Sequence, residues 1–374
     1  MRTAIVSDLH LGAASGEDVL RDPDVRRVLL EEIGDADRVV LLGDVVELRD
    51  LALGVALDSA RPFFEDLGAA LGEREVTIVP GNHDHRLAEP LLDRLSLEGA
   101  ARLELEQSED AGSDGAGGVI DRWLGPAQLR IAYPGLWLRE DVYATHGHYM
   151  DAHLSLPRAE CLAVATLIRL SGQLPDPAAP ADYERVLRPI YGFSFGVAQA
   201  RARVGRPRPH PSEAAWKALA GDNSDAGARR RLRANSVRAA FPAGIWAINR
   251  LLGSDFGSDI SAAAIFAAGV VAGTEMAARL QVDGAHVITG HTHRGGPTEE
   301  EASWPLPGGG QLHNTGSWVF ASAFHNPGTP PSPYWPGTVT WLEDSGPPRR
   351  KQLLLDHSHA DMTELIRRVR QVRG

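Results

Sequence analysis

Short apolar runs, rich in β-branched residues, recur along this chain, and each ends at glycine or a polar side chain. Residues 3–7, 39–42, 76–79, 142–145 and 286–289 have the length and composition of buried strands. Between the early runs, residues 24–33 and 60–71 carry apolar side chains at helical spacing, so strand and helix alternate. That alternation predicts an α/β layered sheet. Residues 136–138 and 142–145, separated by Arg139-Glu140-Asp141, pattern as an antiparallel pair. Residues 108–118 mix Ser, Asp, Gly and Ala without a period and predict a mobile surface loop. Further strands are expected at 311–319, 338–343 and 351–355, and a closing helix at 360–372.

Residues 151–283 break this rhythm. They read mainly as helix and loop, with Pro/Gly-rich joints at 174–180 and 205–211, and they separate two strands that share one pattern. The expected organisation is a core of residues 1–150 and 284–374 carrying a helical insertion, 151–283, as a cap or lid. Aromatic side chains such as Phe193, Phe195, Trp216, Phe241, Trp246 and Phe256 stud that insertion. Packing inside the insertion is their ordinary use, and a lipid-facing groove is the alternative.

Composition narrows the function classes. Lys+Arg 38 against Asp+Glu 49 leaves a net charge of −11, which argues against a general nucleic-acid binder. The positive charge is nonetheless concentrated: residues 201–238 hold ten basic and three acidic residues. They form either a solvated basic face or an anion-attracting wall over a site. Cys161 is the single cysteine, so no disulfide forms within the chain, and a cytoplasmic protein is expected. The apolar stretch at 260–273 falls short of a bilayer span, though peripheral membrane contact through the insertion is compatible with it.

The chemistry lies in five polar clusters, each directly after one of the predicted strands. They are Asp8-Leu9-His10, Gly43-Asp44, Gly81-Asn82-His83-Asp84, His146-Gly147-His148 and Gly290-His291-Thr292-His293. Alone, each reads as turn chemistry. In an open α/β sheet, however, side chains beyond the carboxyl ends of the strands converge. The pooled set then supplies carboxylates able to bridge two cations, imidazole nitrogens, and a neutral amide oxygen. That inventory suits two divalent ions clamping a phosphoester, with manganese the first expectation and iron, zinc or cobalt the others.

The ordered set Asp8-x-His10, Gly43-Asp44, Gly81-Asn82-His83-Asp84, His146 and Gly290-His291-x-His293 resembles the calcineurin-like metallophosphoesterase superfamily. The resemblance implies a four-layer α/β/β/α sandwich of two mixed sheets flanked by helices. It implies that Asp8, His10 and His293 hold one metal, that Asn82, His146 and His291 hold a second, and that Asp44 bridges them. A bridging hydroxide would attack phosphorus, His83 would protonate the leaving oxygen as general acid, and Asp84 would orient the His83 ring. Arg86 and His148 are candidate substrate contacts, and Asp151 is a candidate support for the ligands. His85 reads as surface, and Asn314-Thr315-Gly316-Ser317 as the site floor.

The implied substrate is a phosphorylated small molecule, a nucleotide or a lipid head group. The opening Ser7-Asp8-Leu9-His10-Leu11-Gly12 is similar to the UDP-2,3-diacylglucosamine pyrophosphatase branch, although that branch commonly has arginine where this chain has His83, and a shorter insertion. A catalytically inactive protein-binding scaffold on the same fold is the alternative from another class.

Overall fold

The computed structural model describes residues 1–98, 103–203, 241–259, 261–322, 325 and 331–371. Strands β1 (Thr3–Val6), β2 (Arg38–Leu41) and β3 (Glu75–Ile78) run parallel and in register. Their alternation explains why, after the first residue of each strand, every position but Thr77 is apolar. Ala4, Val6, Val39, Leu41, Val76 and Ile78 face a cluster shared with the helices Pro23–Ile33, Leu53–Leu71, Gly115–Leu124 and His359–Gln371. Ile5 and Val40 point the other way, into a cluster made of strand and strand-end residues alone. A sheet buried on both faces cannot show the half-polar alternation of a surface strand.

A second parallel set comprises β6 (Val142–Thr145), β7 (His286–Thr289) and β8 (Gln311–Asn314). Its Tyr143, Val287 and Leu312 pack under the helix Ala262–Arg279, while Val142, Ala144 and Ile288 turn inward to meet Ile5 and Val40. Between the two sets runs β5 (Gln128–Arg139), which is long enough to serve both. Its start pairs with β3 in parallel, and its end pairs with β6 antiparallel. The antiparallel β9 (Thr338–Leu342) and β10 (Arg349–Gln352) extend the β1 edge.

The result is one curled, half-barrel sheet of ten strands, with the order β10-β9-β1-β2-β3-β5-β6-β7-β8 and β4 (Glu106–Asp110) on β5. Two separate sheets were expected, and the continuity of β5 is what joins them. The loop expected at 108–118 also needs correction. β4 lies antiparallel on β5 with alternate residues exposed, and Gly115 begins a helix. A strand with one wet face and polar side chains carries no apolar signal for pattern reading to find.

Within 151–283 the described residues are largely helical: Ala159–Ser171, Pro180–Arg203, 241–252 and Ala262–Arg279. They share a core with Tyr149 and Met150, built on Cys161, Val164, Tyr183, Val186, Leu187, Tyr191 and Met276. Most of the basic segment 201–238 lies outside the described residues. No helix among the described residues is long and apolar enough to cross a membrane.

Candidate metal centre

Because β1–β3 and β6–β8 are parallel triplets on one curled sheet, their carboxyl ends meet, and the five clusters meet with them. Local backbone geometry shapes each loop. Asp8, His10, Asp44, His291 and His293 all adopt left-handed φ values, between 45° and 67°. Such conformations cost non-glycine residues about 1–3 kcal/mol each and persist where the surroundings dictate them. Backbone bonds tie the loops together: Asp8 N–H donates to Gly43 O (3.0 Å), His10 N–H to Asp44 O (2.8 Å), and Gly290 N–H to His146 O (3.0 Å). Gly43, at φ 83°, packs against the His146 ring so closely that a Cβ would overlap it, which is why this loop needs glycine.

Three groups of potential ligand atoms result, each within 4.8 Å: Asp8–His10–His293, His10–Asp44–His83 and Asp44–His146–His291. Asp44 is common to two of them. Its Oδ2 lies 3.2 Å from His146 Nε2 and 3.6 Å from His10 Nε2, while its Oδ1 accepts from the His83 N–H (2.8 Å). His293 Nε2 lies 3.2 Å from Asp8 Oδ1 and 3.1 Å from His10 Nε2. One end of the Asn82 amide lies 3.1 Å from His291 Nδ1 and 3.2 Å from Asp44 Oδ2; the other faces Arg49 Nη1 at 3.0 Å.

Three imidazoles are held from behind. His146 Nδ1 donates to Leu42 O (2.9 Å), His10 Nδ1 to Glu47 Oε2 (3.0 Å), and His291 Nε2 to Asp151 Oδ1 (2.8 Å). Each bond directs the opposite nitrogen into the cluster, as oxygen partners do for metal-bound histidines. Asp8 and His146 are fully buried, and Asp44 is 1 % exposed.

The electrostatics call for positive charge. Burial opposes charge on His146, but the neighbouring Asp44 carboxylate outweighs it and pushes the imidazole up to about 10. Burial likewise opposes charge on His10, and bonding to Glu47 with the Asp44 charge pushes it up to about 9. Asp44, despite burial, is held well below the usual carboxylate range by His146 and His83. Protons on these rings stand where divalent cations would serve the same carboxylates, and mixed imidazole and carboxylate donors suit borderline metals. The residues therefore fit a dinuclear centre.

Two placements depart from expectation. The His83 ring does not meet Asp84; His83 Nδ1 bonds to Glu47 Oε2 at 2.5 Å. Asp84 is fully buried and accepts instead from the backbone N–H groups of Gly81, Asp44, Val45 and Val46, stapling two loops together. His85 is buried, not on the surface, and lies between Glu184 Oε2 (3.1 Å) and Glu89 Oε1 (3.3 Å). The two candidate substrate contacts also find other surroundings. Arg86 is exposed, 5.7 Å over the Phe195 ring. His148 is buried after the left-handed Gly147, with Nε2 3.0 Å from the Tyr133 hydroxyl. The Asn314–Ser317 segment supports the last loop: Asn314 Nδ2 donates to Thr292 Oγ1 (3.0 Å) and Gly290 O (2.5 Å).

Glu47 and Arg49 belong to the site and were not identified in the chain. The available signal was two charges inside the apolar run Val45-Val46-Glu47-Leu48-Arg49 directly after Asp44. Glu47 Oε2 serves both His10 and His83, while Oε1 accepts from Arg49 N–H (2.9 Å). Despite burial, the charges and hydrogen bonds of His83 and His10 hold Glu47 below the ordinary carboxylate range.

Residues 1–176 match the calcineurin-like phosphoesterase family model. The matched residues include Asp8, His10, Asp44, Asn82, His83 and His146. His291 and His293 lie beyond the matched residues and join the site through the fold alone. The match describes the family and not a particular branch of it. No curated protein matches the chain.

Proposed function

We propose that this chain is a metal-dependent phosphohydrolase cleaving a phosphoester or pyrophosphate bond. The observation that carries the reading is Asp44, whose Oδ2 lies 3.6 Å from His10 Nε2 of one group and 3.2 Å from His146 Nε2 of the other, within the residues that match the phosphoesterase family model. Asp8, His10 and His293 would hold one divalent cation; Asn82, His146 and His291 would hold the other; Asp44 would serve both. Bound cations would supply Lewis-acid polarisation of the phosphoryl oxygens and lower the pKa of a water molecule.

The chain's own residues do the rest. Glu47 fixes the His83 ring through Nδ1, which leaves Nε2 as the position from which a proton passes to the departing oxygen. At 23 % exposure, the His83 side chain is open enough to meet a ligand. Asp84 keeps the Asn82-His83 loop locked to the Asp44 loop, so ligand and acid keep their spacing. Substrates of the class expected are phosphorylated small molecules, nucleotides or lipid head groups.

Chelator-treated protein reloaded with Mn²⁺ should hydrolyse bis-p-nitrophenyl phosphate, a monoester or a pyrophosphate, and lose turnover on renewed chelation. Absence of turnover on all three, with no metal retained, would make the chain a binding scaffold instead.

A further inference from the structure

The helix Pro180–Arg203 lays one face along the loops that carry the site. Glu184 meets His85, Arg188 meets Glu89, Ser194 Oγ lies 3.4 Å from Arg49 Nη2, and Phe195 lies under Arg86. Tyr191 falls on this face, three residues before Ser194. Its ring lies 5.2 Å from the His85 ring and 5.6 Å from the His148 ring, which is itself 5.7 Å from the candidate ligand His146.

What sets Tyr191 apart is its hydroxyl. The residue is 3 % exposed, and among the described residues its oxygen has no hydrogen-bond partner. Nδ1 of the adjacent His148 is buried and likewise without a partner among the described residues. The other tyrosines of this region are satisfied: Tyr133 and Tyr149 donate to Glu184, and Tyr183 bonds to His153. A buried hydroxyl left unpaired is costly, so a retained one calls for a partner that arrives later. Burial, followed by the Asp151 and Glu184 charges, pushes the phenol well above its usual pKa, which keeps it a donor. Arg49, whose Nη2 reaches Ser194 on the same helix face, brings Nη1 to 3.0 Å from the Asn82 amide.

We infer that Tyr191 is the group by which the helical insertion reaches the substrate, its hydroxyl donating a hydrogen bond to a phosphoryl oxygen held at the Asp44–His146–His291 cluster. This rests on the phosphohydrolase reading above. It makes the insertion part of the active site rather than a separate cover.

The test compares the Mn²⁺-loaded full chain with Y191F, using inorganic phosphate as the probe by calorimetry and bis-p-nitrophenyl phosphate for turnover. Y191F should lose roughly tenfold in phosphate affinity and in kcat/KM, the scale of one hydrogen bond to a charged group. Its metal content should match the parent, and the Tm of the metal-free protein should be unchanged or higher, because the hydroxyl has no native bond to lose. Y183F is the control. It removes a partnered hydroxyl and should lower Tm by about 1–2 °C while leaving phosphate affinity intact.

Parental phosphate affinity in Y191F would overturn the inference, leaving the hydroxyl to an ordered water. A fall in Tm and metal content together would overturn it too, by making Tyr191 structural. If the parent itself binds neither Mn²⁺ nor phosphate, the phosphohydrolase reading fails first, and the two failures are told apart.

Discussion

Glu47→Gln is the perturbation whose size can be worked out most fully. The substitution keeps shape and removes charge. In the parent, one carboxylate oxygen serves His83 Nδ1 at 2.5 Å and His10 Nδ1 at 3.0 Å, and the side chain is 4 % exposed. Hydrogen bonds to charged groups contribute about 1.5–3 kcal/mol, and neutral ones about 0.5–1.5 kcal/mol. Each of the two bonds should therefore lose about 1–1.5 kcal/mol. At 1.4 kcal/mol per factor of ten, the His83 share is roughly a tenfold drop in kcat and the His10 share roughly a tenfold weaker hold on metal. Turnover measured at rising Mn²⁺ separates the two effects, because saturating metal recovers the second and not the first. Glu47→Ala should be worse on both counts, since it also strands the Arg49 N–H that Oε1 accepts. Parental kcat and Mn²⁺ dependence in Glu47→Gln would refute the assignment of Glu47 as the partner of both rings.

Asp44→Ala should empty both cation positions, because one carboxylate serves the two clusters; loss of a single equivalent by elemental analysis would deny the shared role. His83→Ala should retain metal and slow turnover by roughly 10²–10⁴-fold, the worth of a general acid, and metal loss would reassign it as a ligand. For metal-free protein, His85 gives a pH dependence. Burial lowers its pKa, but Glu184 and Glu89 more than reverse this and hold it at about 9, against an ordinary value near 6.5. A histidine raised on folding stabilises fully below about pH 6.5, and that contribution, on the order of 3 kcal/mol, is lost as pH rises through about 9. Urea unfolding from pH 6 to 10 should show this loss in the parent and a much flatter profile in Glu184→Gln; parallel profiles would contradict it.

What pattern reading could recover follows from where the information sits. The strands that end in motif residues are apolar on both faces and stop at glycine or a charge, so Val142–Thr145 and His286–Thr289 were located to the residue. Asp8, Asp44, Asn82 and His146 stood out because each follows such a strand directly. β4 was missed because its exposed face is polar, and 311–319 shortened to Gln311–Asn314 because Thr315 and Gly316 bond to the Ser7 hydroxyl rather than extend the sheet. The joining of two expected sheets depends on β5 pairing on both sides, a register fact that no local pattern encodes. Asp84 was assigned to the His83 ring through the family resemblance, yet neighbours in a tight loop point apart, and its carboxylate turned to the backbone. Glu47 and Tyr191 reach their places only through folding: Glu47 bonds to His83 across 36 positions, and a helix brings the Tyr191 ring to 5.6 Å from that of His148.

The central claim is that the Asp8–His10–His293 and Asp44–His146–His291 groups form one two-cation site. Anomalous diffraction at the manganese edge, from crystals of the Mn²⁺-loaded chain, tests it directly. Two peaks flanking the Asp44 carboxylate, one at each group, are the expected result. A single peak, or manganese bound away from Asp44, would contradict the account.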